Sequence, residues 1–534
     1  MQGPLVPVSD LDEKPVEKDD VKNLQTFDCN SCKNNSISTQ DIDKAVAAAP
    51  EVAPDKSDFL IKEVDALAGA STPGQVDLSI KETIEKKVQR SMSIVLTLSK
   101  SSQSRRTKYK QFDMSSTTPA PVVLIIGCGI AGPVFGILLK QKGYNPVVFE
   151  KVSELGDAGA SLMLMSNGLK VLQLIGVAEH VTAESTPVQS LVESTSRGEL
   201  LGSSDLPGSF RGKYGQPLAG IKRSSVNLTL KNTLLRRSIE LREGWELSGI
   251  TEEQDSVTAY FSGDRSVTGS FLIGCDGIKS VTRRVLLEAK GITEGSPLYT
   301  GLTQTAGISK APEGLLTPAA MRNWYADGTH VIAYPISKTH VSWAITQRET
   351  NEAAETWRPY RREELAHQKR QLCGLLDEWN PAVTEMICAA ERIIKFGLFD
   401  REELAASQWY SKRCILVGDA AHPTSPHLGQ GANQALEDCF HLCQALPDLV
   451  PGGESHQEAV VLLGPSLGES IFKPYAEKRQ SRTAHLVKGA REMGEHRTAS
   501  GETACRLRDD MIREKYIDES LLASRMDELL REPF

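Results

Sequence analysis

The chain has 534 residues, of which 40% are hydrophobic and 24% charged, and its 61 basic and 69 acidic side chains give a net charge of −8. This composition is typical of globular proteins and excludes collagen, coiled coil and wholesale disorder. The acidic balance disfavours nucleic acid and anionic membranes as partners, and ten cysteines are too few for a disulfide scaffold. The length predicts two to four domains.

Residues 1–113 differ from the rest of the chain. They contain no Trp, only four aromatic residues, and many Ser, Asp and Lys residues. This composition predicts a disordered, dispensable extension, with Met114 resembling the start of a complete protein. The CxxC pair Cys29 and Cys32 has no second ligand pair at zinc spacing and no surrounding βαβ pattern, so we assign it no metal or redox role.

One uncharged stretch of 19 residues, Pro121 to Leu139, is long enough to cross a bilayer. It contains four glycines and two prolines, which a buried strand, a glycine turn and a helix explain better than a membrane span does. The first 17 residues carry four acids and no apolar core, unlike a signal or transit peptide. We therefore expect a cytoplasmic protein without a membrane span.

Beyond residue 113, strand and helix patterns alternate, which predicts an α/β fold. Strands are predicted at Val122–Ile126, Val147–Glu150, Ser256–Phe261, Phe271–Ile273 and Cys414–Val417, with a hairpin of His330–Tyr334 and His340–Thr346. Helices are predicted to end at Gly143 and at Gly176, to run from about Gly431 to Leu446, and to cover Glu477–Met493. Pro451–Gly468 is predicted to be an inserted loop.

The sequence GCGIAG at residues 127–132 lies directly between the first strand and the first helix. Gly127 permits a tight turn, Gly129 lets the backbone approach a pyrophosphate, and Gly132 lets the helix pack against the strand. The helix N-terminus then offers free N–H groups to the phosphates. Glu150 ends the second strand, where an acid receives ribose hydroxyls, so the motif predicts NAD or FAD.

Two further segments have the form of a strand, a turn and a helix start. The first is GCDGIKSVTR at residues 274–283, and the second is CILVGDAAHPTSPHLGQGAN at residues 414–433. In this order, the three motifs resemble those of the single-component FAD aromatic hydroxylases, which share the para-hydroxybenzoate hydroxylase fold. The salicylate-hydroxylase-like branch and the related FAD epoxidases are the most similar. The resemblance extends from Val122 to about Arg497.

The resemblance implies an α/β fold in which a Rossmann-type FAD-binding domain is interleaved with a mixed-sheet substrate domain, followed by C-terminal helices. The implied FAD-binding domain comprises residues 114–289 and 395–450, and the substrate domain residues 290–394 with part of 190–225. Residues 451–534 would form the inserted loop and the C-terminal helices. The implied cofactor-binding residues are Gly127, Gly129, Gly132, Glu150, Gly159, Ala160, Arg223, Asp276, Asp419, Gly431 and Ala432.

The substrate is expected to lie against the sheet predicted for residues 299–348. Within it, Arg322 is a candidate to pair with a carboxylate or phenolate, and Tyr334 a candidate to relay a proton from a phenol. Aromatic residues at alternate strand positions also build cores, so both remain candidates, and no general base is identified. His422 and His427 are flanked by Pro, Ser and Gly rather than by further ligands, so we predict no metal site.

The implied activity is that of an FAD monooxygenase. NADH or NADPH binds transiently and reduces FAD, and O₂ forms a flavin C4a-hydroperoxide that transfers one oxygen atom to a phenolic or benzoate-like substrate. No second GxGxxG follows a strand, so no separate nicotinamide domain is predicted. Two alternatives remain: an FAD epoxidase of an isoprenoid secondary metabolite, and a non-catalytic FAD-binding protein. We expect a monomer or homodimer with small-molecule partners only.

Overall fold

The computed structural model describes residues 120–154, 159–349, 351, 359–449 and 463–534. The predicted N-terminal extension, with Cys29 and Cys32, lies outside the described residues, as does the predicted loop as far as residue 462. Gly468, the predicted end of that loop, begins a π-helix, Gly468–Phe472.

A five-stranded parallel sheet carries the glycine-rich motif. Its strands are β1 (Val122–Ile126), β2 (Asn145–Glu150), β7 (Glu240–Glu243), β11 (Phe271–Gly274) and β17 (Cys414–Leu416), in the order β17-β11-β1-β2-β7. The segments VVLII and FLIG are apolar throughout because parallel strands of this kind are covered on both faces. Helix α1 (Ala131–Gln141) packs on this sheet and is buried from Ala131 to Leu139.

A seven-stranded mixed sheet forms the second layer. It comprises β4 (Ser190–Thr195), β5 (Leu200–Ser204), β12 (Leu298–Lys310), β13 (Ala320–Tyr325), β14 (Thr329–Pro335), β15 (His340–Arg348) and β16 (Ala390–Asp400). The strand order is β16-β12-β15-β14-β13-β4-β5, with β13 and β4 parallel and the other neighbours antiparallel. The predicted hairpin is confirmed, since β14 pairs with β15.

The remaining strands form two smaller sheets. The pair β3 (Ser161–Leu164) and β6 (Ala219–Lys222) is antiparallel, and β8 (Leu247–Glu252), β9 (Val257–Phe261) and β10 (Arg265–Gly269) form a meander. The remaining described α-helices are α2 (Ser166–Leu174), α3 (Ala178–Thr182), α4 (Leu206–Tyr214), α5 (Arg223–Arg236), α6 (Val281–Ala289), α7 (Arg362–Leu375), α8 (Pro381–Cys388), α9 (Gly431–Ala445), α10 (Lys473–Arg497), α11 (Glu502–Ile517) and α12 (Glu519–Leu530).

The mixed sheet has two chemically different faces. Trp324, Val331 and Trp343 belong to a buried cluster with residues of α7 and α8, and we call this the outer face. Side chains alternate along each strand, so Ile332, Tyr334 and their cross-strand neighbours lie on the opposite, inner face. Among helices of the described ranges, none is both long and apolar enough to cross a membrane.

Candidate functional site

The glycine-rich turn is held by close backbone packing. Gly127 has φ +105° and donates its N–H to the carbonyl of Phe149 over 2.7 Å. A Cβ on Gly127 would lie 2.4 Å from the carbonyl oxygen of Cys275, and one on Gly132 would lie 1.9 Å from that of Gly127. Both positions therefore require glycine for reasons internal to the fold, because no side-chain atom fits there.

Gly129 differs from the other two glycines of the motif. A Cβ built on it meets no atom of the described residues within 4 Å, so its backbone faces open space. Glu150 lies beside the same turn, where one carboxylate oxygen accepts the N–H of Cys128 at 2.8 Å and the other accepts that of Val152 at 3.1 Å. The turn thus presents an open backbone next to an acid, the arrangement that a dinucleotide pyrophosphate and ribose require.

The second motif packs directly on the first and is braced by its own aspartate. Asp276 accepts hydrogen bonds from Ser280 Oγ at 2.5 Å and from the N–H and Oγ1 of Thr282 at 3.0 and 3.1 Å. Ser280 in turn caps α6 by accepting the N–H of Arg283. Burial raises the pKa of Asp276, and these hydrogen bonds oppose the rise. In this structure Asp276 shapes the turn and the start of the helix.

Arg283 joins the second motif to the third. This fully buried guanidinium donates to both carboxylate oxygens of Glu294, to the carbonyl of Ala421 at 3.1 Å and to that of Glu402 at 3.0 Å. Arg283 is the last residue of GCDGIKSVTR, and no role was predicted for it. The feature that identifies Arg283 is its planar guanidinium group, whose N–H donors satisfy several acceptors at once.

The third motif brings together residues that are far apart in the sequence. Asp419 lies in a 3₁₀ turn, Gly418–Ala420, and its charge interacts with that of Arg223. A Cβ on Gly159 would lie 2.9 Å from Arg223 Cδ, and one on Gly431 would lie 3.8 Å from Asp419 Oδ1. Ala160, next to Gly159, accepts the backbone N–H of Arg223 at 3.3 Å. These five predicted cofactor residues therefore lie next to one another in the fold.

Asp419 is open to solvent although protein surrounds it densely, and this combination indicates the floor of a deep cleft. Its side chain is exposed, yet burial by the surrounding protein raises its pKa, while His422 and Arg223 oppose the rise. Burial likewise lowers the pKa of Arg223, and Asp419 opposes that shift. Ala432, in the first turn of α9, is half-buried beside this cleft wall. The helix begins at Gly431, so its positive dipole end lies near Asp419.

A buried ionic network fixes α9 against α10. Asp438 accepts the N–H of Gly418 at 2.8 Å, His422 Nε2 at 2.6 Å and Arg479 Nε at 2.7 Å, and Arg479 also pairs with Glu437 at 2.8 Å. Burial raises the pKa of Asp438, but His422 and Arg479 outweigh it and hold that pKa well below its usual range. The network anchors the turn that carries Asp419.

The two catalytic candidates lie on opposite faces of the mixed sheet. Arg322 pairs with Ala333 across β13 and β14, so it shares the outer face with Trp324, whereas Tyr334 is on the inner face. The outer face is covered by α7 and α8, while the segment after Gly159 lies over the inner face. The two residues therefore do not face one common site, and the catalytic role of each stays a prediction.

Tyr334 ends a chain of hydroxyl groups. Its Oη lies 2.6 Å from Ser161 Oγ, Ser161 donates to Ser342 Oγ at 2.6 Å, and Ser342 donates to the carbonyl of Gly307 at 3.2 Å. Because the proton of Ser161 is already used, Tyr334 must donate to Ser161, and the phenolic oxygen keeps lone pairs for another donor. Burial raises the pKa of Tyr334, so it is a neutral phenol at neutral pH.

The histidines of the third motif do not form a metal site. His422 pairs with Asp438, and His427, in the 3₁₀ turn Pro426–Leu428, is buried. No group of three or more His, Cys, Asp or Glu within the described ranges is arranged to hold a metal ion.

The parallel sheet, its open glycine turn and the cleft at Asp419 together define a dinucleotide-binding flavoprotein. A family model described as "FAD binding domain" matches residues 120–458. A 3-amino-4-hydroxybenzoate 2-monooxygenase of Streptomyces platensis is 30% identical over 398 residues, which are 74% of this chain and 92% of that protein. A 3-hydroxybenzoate 6-hydroxylase of Polaromonas naphthalenivorans is 27% identical over 72% of this chain and 90% of that protein. The chain belongs to the family of FAD-dependent aromatic-ring monooxygenases.

Solved structures share the fold. Klebsiella pneumoniae HpxO complexed with FAD and uric acid has a TM-score of 0.64 and 21% identity, covering 77% of this chain and 97% of that one. A salicylate hydroxylase substrate complex has a TM-score of 0.61 and 21% identity, covering 78% and 97%. The predicted fold class of the described region, the enzyme class and the FAD cofactor are thereby confirmed. The roles of individual site residues stay predictions.

Proposed function

We propose that this enzyme uses NADH or NADPH, together with O₂, to hydroxylate an aromatic ring that already carries a hydroxyl group. The proposal rests on Tyr334, which lies on the inner face beside Gly159 and Ala160. Its phenolic O–H donates to Ser161, and its oxygen can still accept a hydrogen bond from another donor. The relatives named above act on hydroxybenzoates or an aminohydroxybenzoate, according to their names, and a further relative is a 6-hydroxynicotinate 3-monooxygenase of Pseudomonas fluorescens. A ring hydroxyl is common to these substrates.

The residues present fit FAD. Gly129 leaves room for the pyrophosphate, and Glu150 would accept ribose hydroxyls in exchange for one of its present backbone partners. Arg223 would face phosphate oxygen and Asp419 a ribitol hydroxyl, while the N-terminus of α9 would stabilise negative charge on the ring system by about 1–2 kcal/mol. When bound and reduced, FAD activates O₂ and delivers one oxygen atom to the substrate while the other leaves as water. The surrounding protein must exclude bulk water from that step.

Tyr334 would position the phenolic substrate. The phenolic oxygen of Tyr334 would accept a hydrogen bond from the substrate O–H, because Tyr334 donates its own proton to Ser161. Accepting this hydrogen bond draws the proton away from the substrate oxygen, so electron density increases on that oxygen and on the ring carbons ortho and para to it, which favours oxygen transfer. Ser161 and Ser342 act through Tyr334 as positioning residues, since Ser342 is held by the carbonyl of Gly307.

The domain division remains a proposal with one adjustment. Strands β4 and β5 belong to the mixed sheet, in agreement with assigning part of residues 190–225 to the substrate domain. Strand β16 lies wholly in that sheet, so we place the second boundary after Asp400 rather than at residue 394. A cytoplasmic location, a monomeric or homodimeric state and a dispensable extension stay predictions. A chain starting at Met114 should fold and retain FAD.

The decisive experiment is a substrate panel on the FAD-loaded enzyme. NADH and NADPH consumption is followed with hydroxybenzoates, aminohydroxybenzoates and hydroxypyridines, and products are identified by mass. We expect at least one phenol to accelerate nicotinamide oxidation and to gain one oxygen atom, and Tyr334→Phe to reduce product formed per nicotinamide consumed. A protein that cannot be loaded with FAD, or that oxidises nicotinamide without hydroxylating any phenol, would overturn the proposal.

A further inference from the structure

Three rows of side chains cross the centre of the inner face. The hydroxyl row is Tyr334 and Ser342, which are paired across β14 and β15. The apolar row lies two residues away from the hydroxyl row along each strand. The histidine row lies a further two residues away in the same direction. The apolar row consists of Ile332, Ala344 and Ala306, and the histidine row of His330, Thr346 and Gln304.

The apolar row borders an open space. Ile332 and Ala344 are partly exposed although they lie on central strands of a seven-stranded sheet. Ala344 and Ala306 carry the smallest apolar side chain, and Ala160, a predicted neighbour of the cofactor, packs against the same cluster. A floor of small apolar side chains beside a cofactor segment suits a flat aromatic ring.

The histidine row contains a hydrogen-bond acceptor without a partner. His330 is fully buried, and its Nε2 lies 2.9 Å from Asn323 Oδ1, so Nε2 carries the proton and Nδ1 carries a lone pair. That Nδ1 has no hydrogen-bond partner among the described residues. Burial, with the nearby charge of Arg497, lowers the pKa of His330, so the ring is neutral.

His427 and Arg497 close this end of the inner face. His427 is 4% exposed, and a Cβ on Gly494 of α10 would lie 2.7 Å from its Nε2. Arg497 is three residues beyond Gly494, on the same side of the helix, and its charge acts on both histidines. Within the described part of the chain, neither ring nitrogen of His427 nor Nε of Arg497 has a partner.

His330, His427 and Arg497 interact through their charges, and the four nitrogen atoms among them that have no partner in the described ranges point to a polar occupant. Buried polar groups in folded proteins are nearly always paired, and each unpaired one is destabilising. The occupant must donate to His330 Nδ1 and accept from Arg497 Nε–H. A hydroxyl group does both, whereas a carboxylate would leave the lone pair of His330 unmatched.

We propose that the apolar row is the floor of the substrate pocket, and that the pocket takes a two-ring aromatic substrate with a hydroxyl group at each end. One hydroxyl binds Tyr334 and the other binds the cluster of His330, His427 and Arg497. The Cα atoms of Tyr334 and His330, four residues apart on one strand, are about 14 Å apart. Because both side chains project from the same face, a substrate that binds both must be longer than one ring with two substituents. The inference rests on the proposed function and narrows it to one substrate class.

The test compares three phenols on the FAD-loaded wild-type enzyme. Dissociation constants of 4,4′-dihydroxybiphenyl, 4-hydroxybiphenyl and phenol are measured from the change that each causes in the flavin absorbance spectrum. We expect the dihydroxy compound to bind roughly 5- to 30-fold more tightly than 4-hydroxybiphenyl, because only it reaches the second cluster. Phenol should bind more weakly than either, since it covers half of the apolar row.

Two variants show which residues cause the preference. His330→Leu should reduce the affinity ratio between the two biphenyls to about one, and Ala344→Phe should shift the preference towards phenol by filling the floor. Bound flavin and far-UV circular dichroism establish that each variant is folded.

The possible results separate this inference from the proposed function. Equal binding of the two biphenyls to the wild-type enzyme, as expected if the cluster holds only water, would overturn the two-ended pocket. Phenol binding as tightly as the biphenyls would overturn it as well, while leaving ring hydroxylation intact. If no phenol perturbs the flavin and none is hydroxylated, it is the proposed function that fails.

Discussion

Replacing Gly129 by Asp should abolish FAD binding while leaving the apoprotein folded. The side chain enters open space, since a Cβ at this position meets no atom of the described residues within 4 Å. If that space holds the pyrophosphate, the new carboxylate lies about 4 Å from a phosphate charge, and an effective dielectric constant near 20 gives a repulsion of about 4 kcal/mol. This corresponds to a loss of affinity of about a thousandfold.

The measurement is the flavin content of the purified variant, with an FAD titration of its apoprotein. Gly129→Ala is the matched variant without charge and should weaken binding less, because it adds only one methyl group. Gly132→Ala is the opposite control: its Cβ would lie 1.9 Å from the carbonyl oxygen of Gly127, so it should destabilise the apoprotein by about 1–3 kcal/mol. Wild-type FAD affinity in Gly129→Asp would refute the placement of the pyrophosphate.

Three further predictions follow from the hydrogen-bond networks. Tyr334→Phe should lower kcat about 10- to 100-fold in stopped-flow assays of ring hydroxylation, because the substrate O–H loses its acceptor; an unchanged kcat would exclude Tyr334 from the chemistry. Arg479→Met should reduce the free energy of unfolding by about 3 kcal/mol in urea titrations, since the buried Asp438 would keep only His422 as its charged partner and Glu437 only Arg482. Burial, with the nearby charge of Arg497, lowers the pKa of His427 from 6.5 to about 3. Its unfolded form therefore binds more protons between these pH values, and stability should be complete above pH 6.5 and fall as pH decreases towards 3; His427→Gln should flatten this slope in apoprotein melts.

The local motifs could be predicted from the sequence because their constraints act between residues that are neighbours in the chain. The turn at Gly127 to Gly132 follows from backbone geometry alone, and the strand VVLII and the helix after it are set by a run of apolar residues. The positions of the hairpin strands β14 and β15 were also predictable, because alternation and a short polar connection define both. The family and its cofactor followed from the order of three such motifs.

Contacts between distant segments required the tertiary structure. The oxygens of Asp276 accept hydrogen bonds from Ser280 and Thr282, a contact that depends on how the turn folds back, and its binding to the cofactor stays a prediction. Arg283 joins two motifs only because α6 packs beside the turn at Ala421. Neither the hydrogen bonds of Asp276 nor those of Arg283 correspond to a periodic pattern in the sequence.

The sequence alone determined the α/β class and the dinucleotide turn, because these depend on local backbone sterics and apolar periodicity, and the resemblance of three motifs to a known family indicated the flavin. The sequence did not determine which face of the mixed sheet each side chain occupies. Arg322 and Tyr334 are both strand residues of suitable chemistry, but the register that pairs Arg322 with Ala333 places them on opposite faces. Alternation already puts Tyr334 and His330 on one face, but register depends on cross-strand packing and connection geometry, so only the folded structure shows that this face lies beside the cofactor segments.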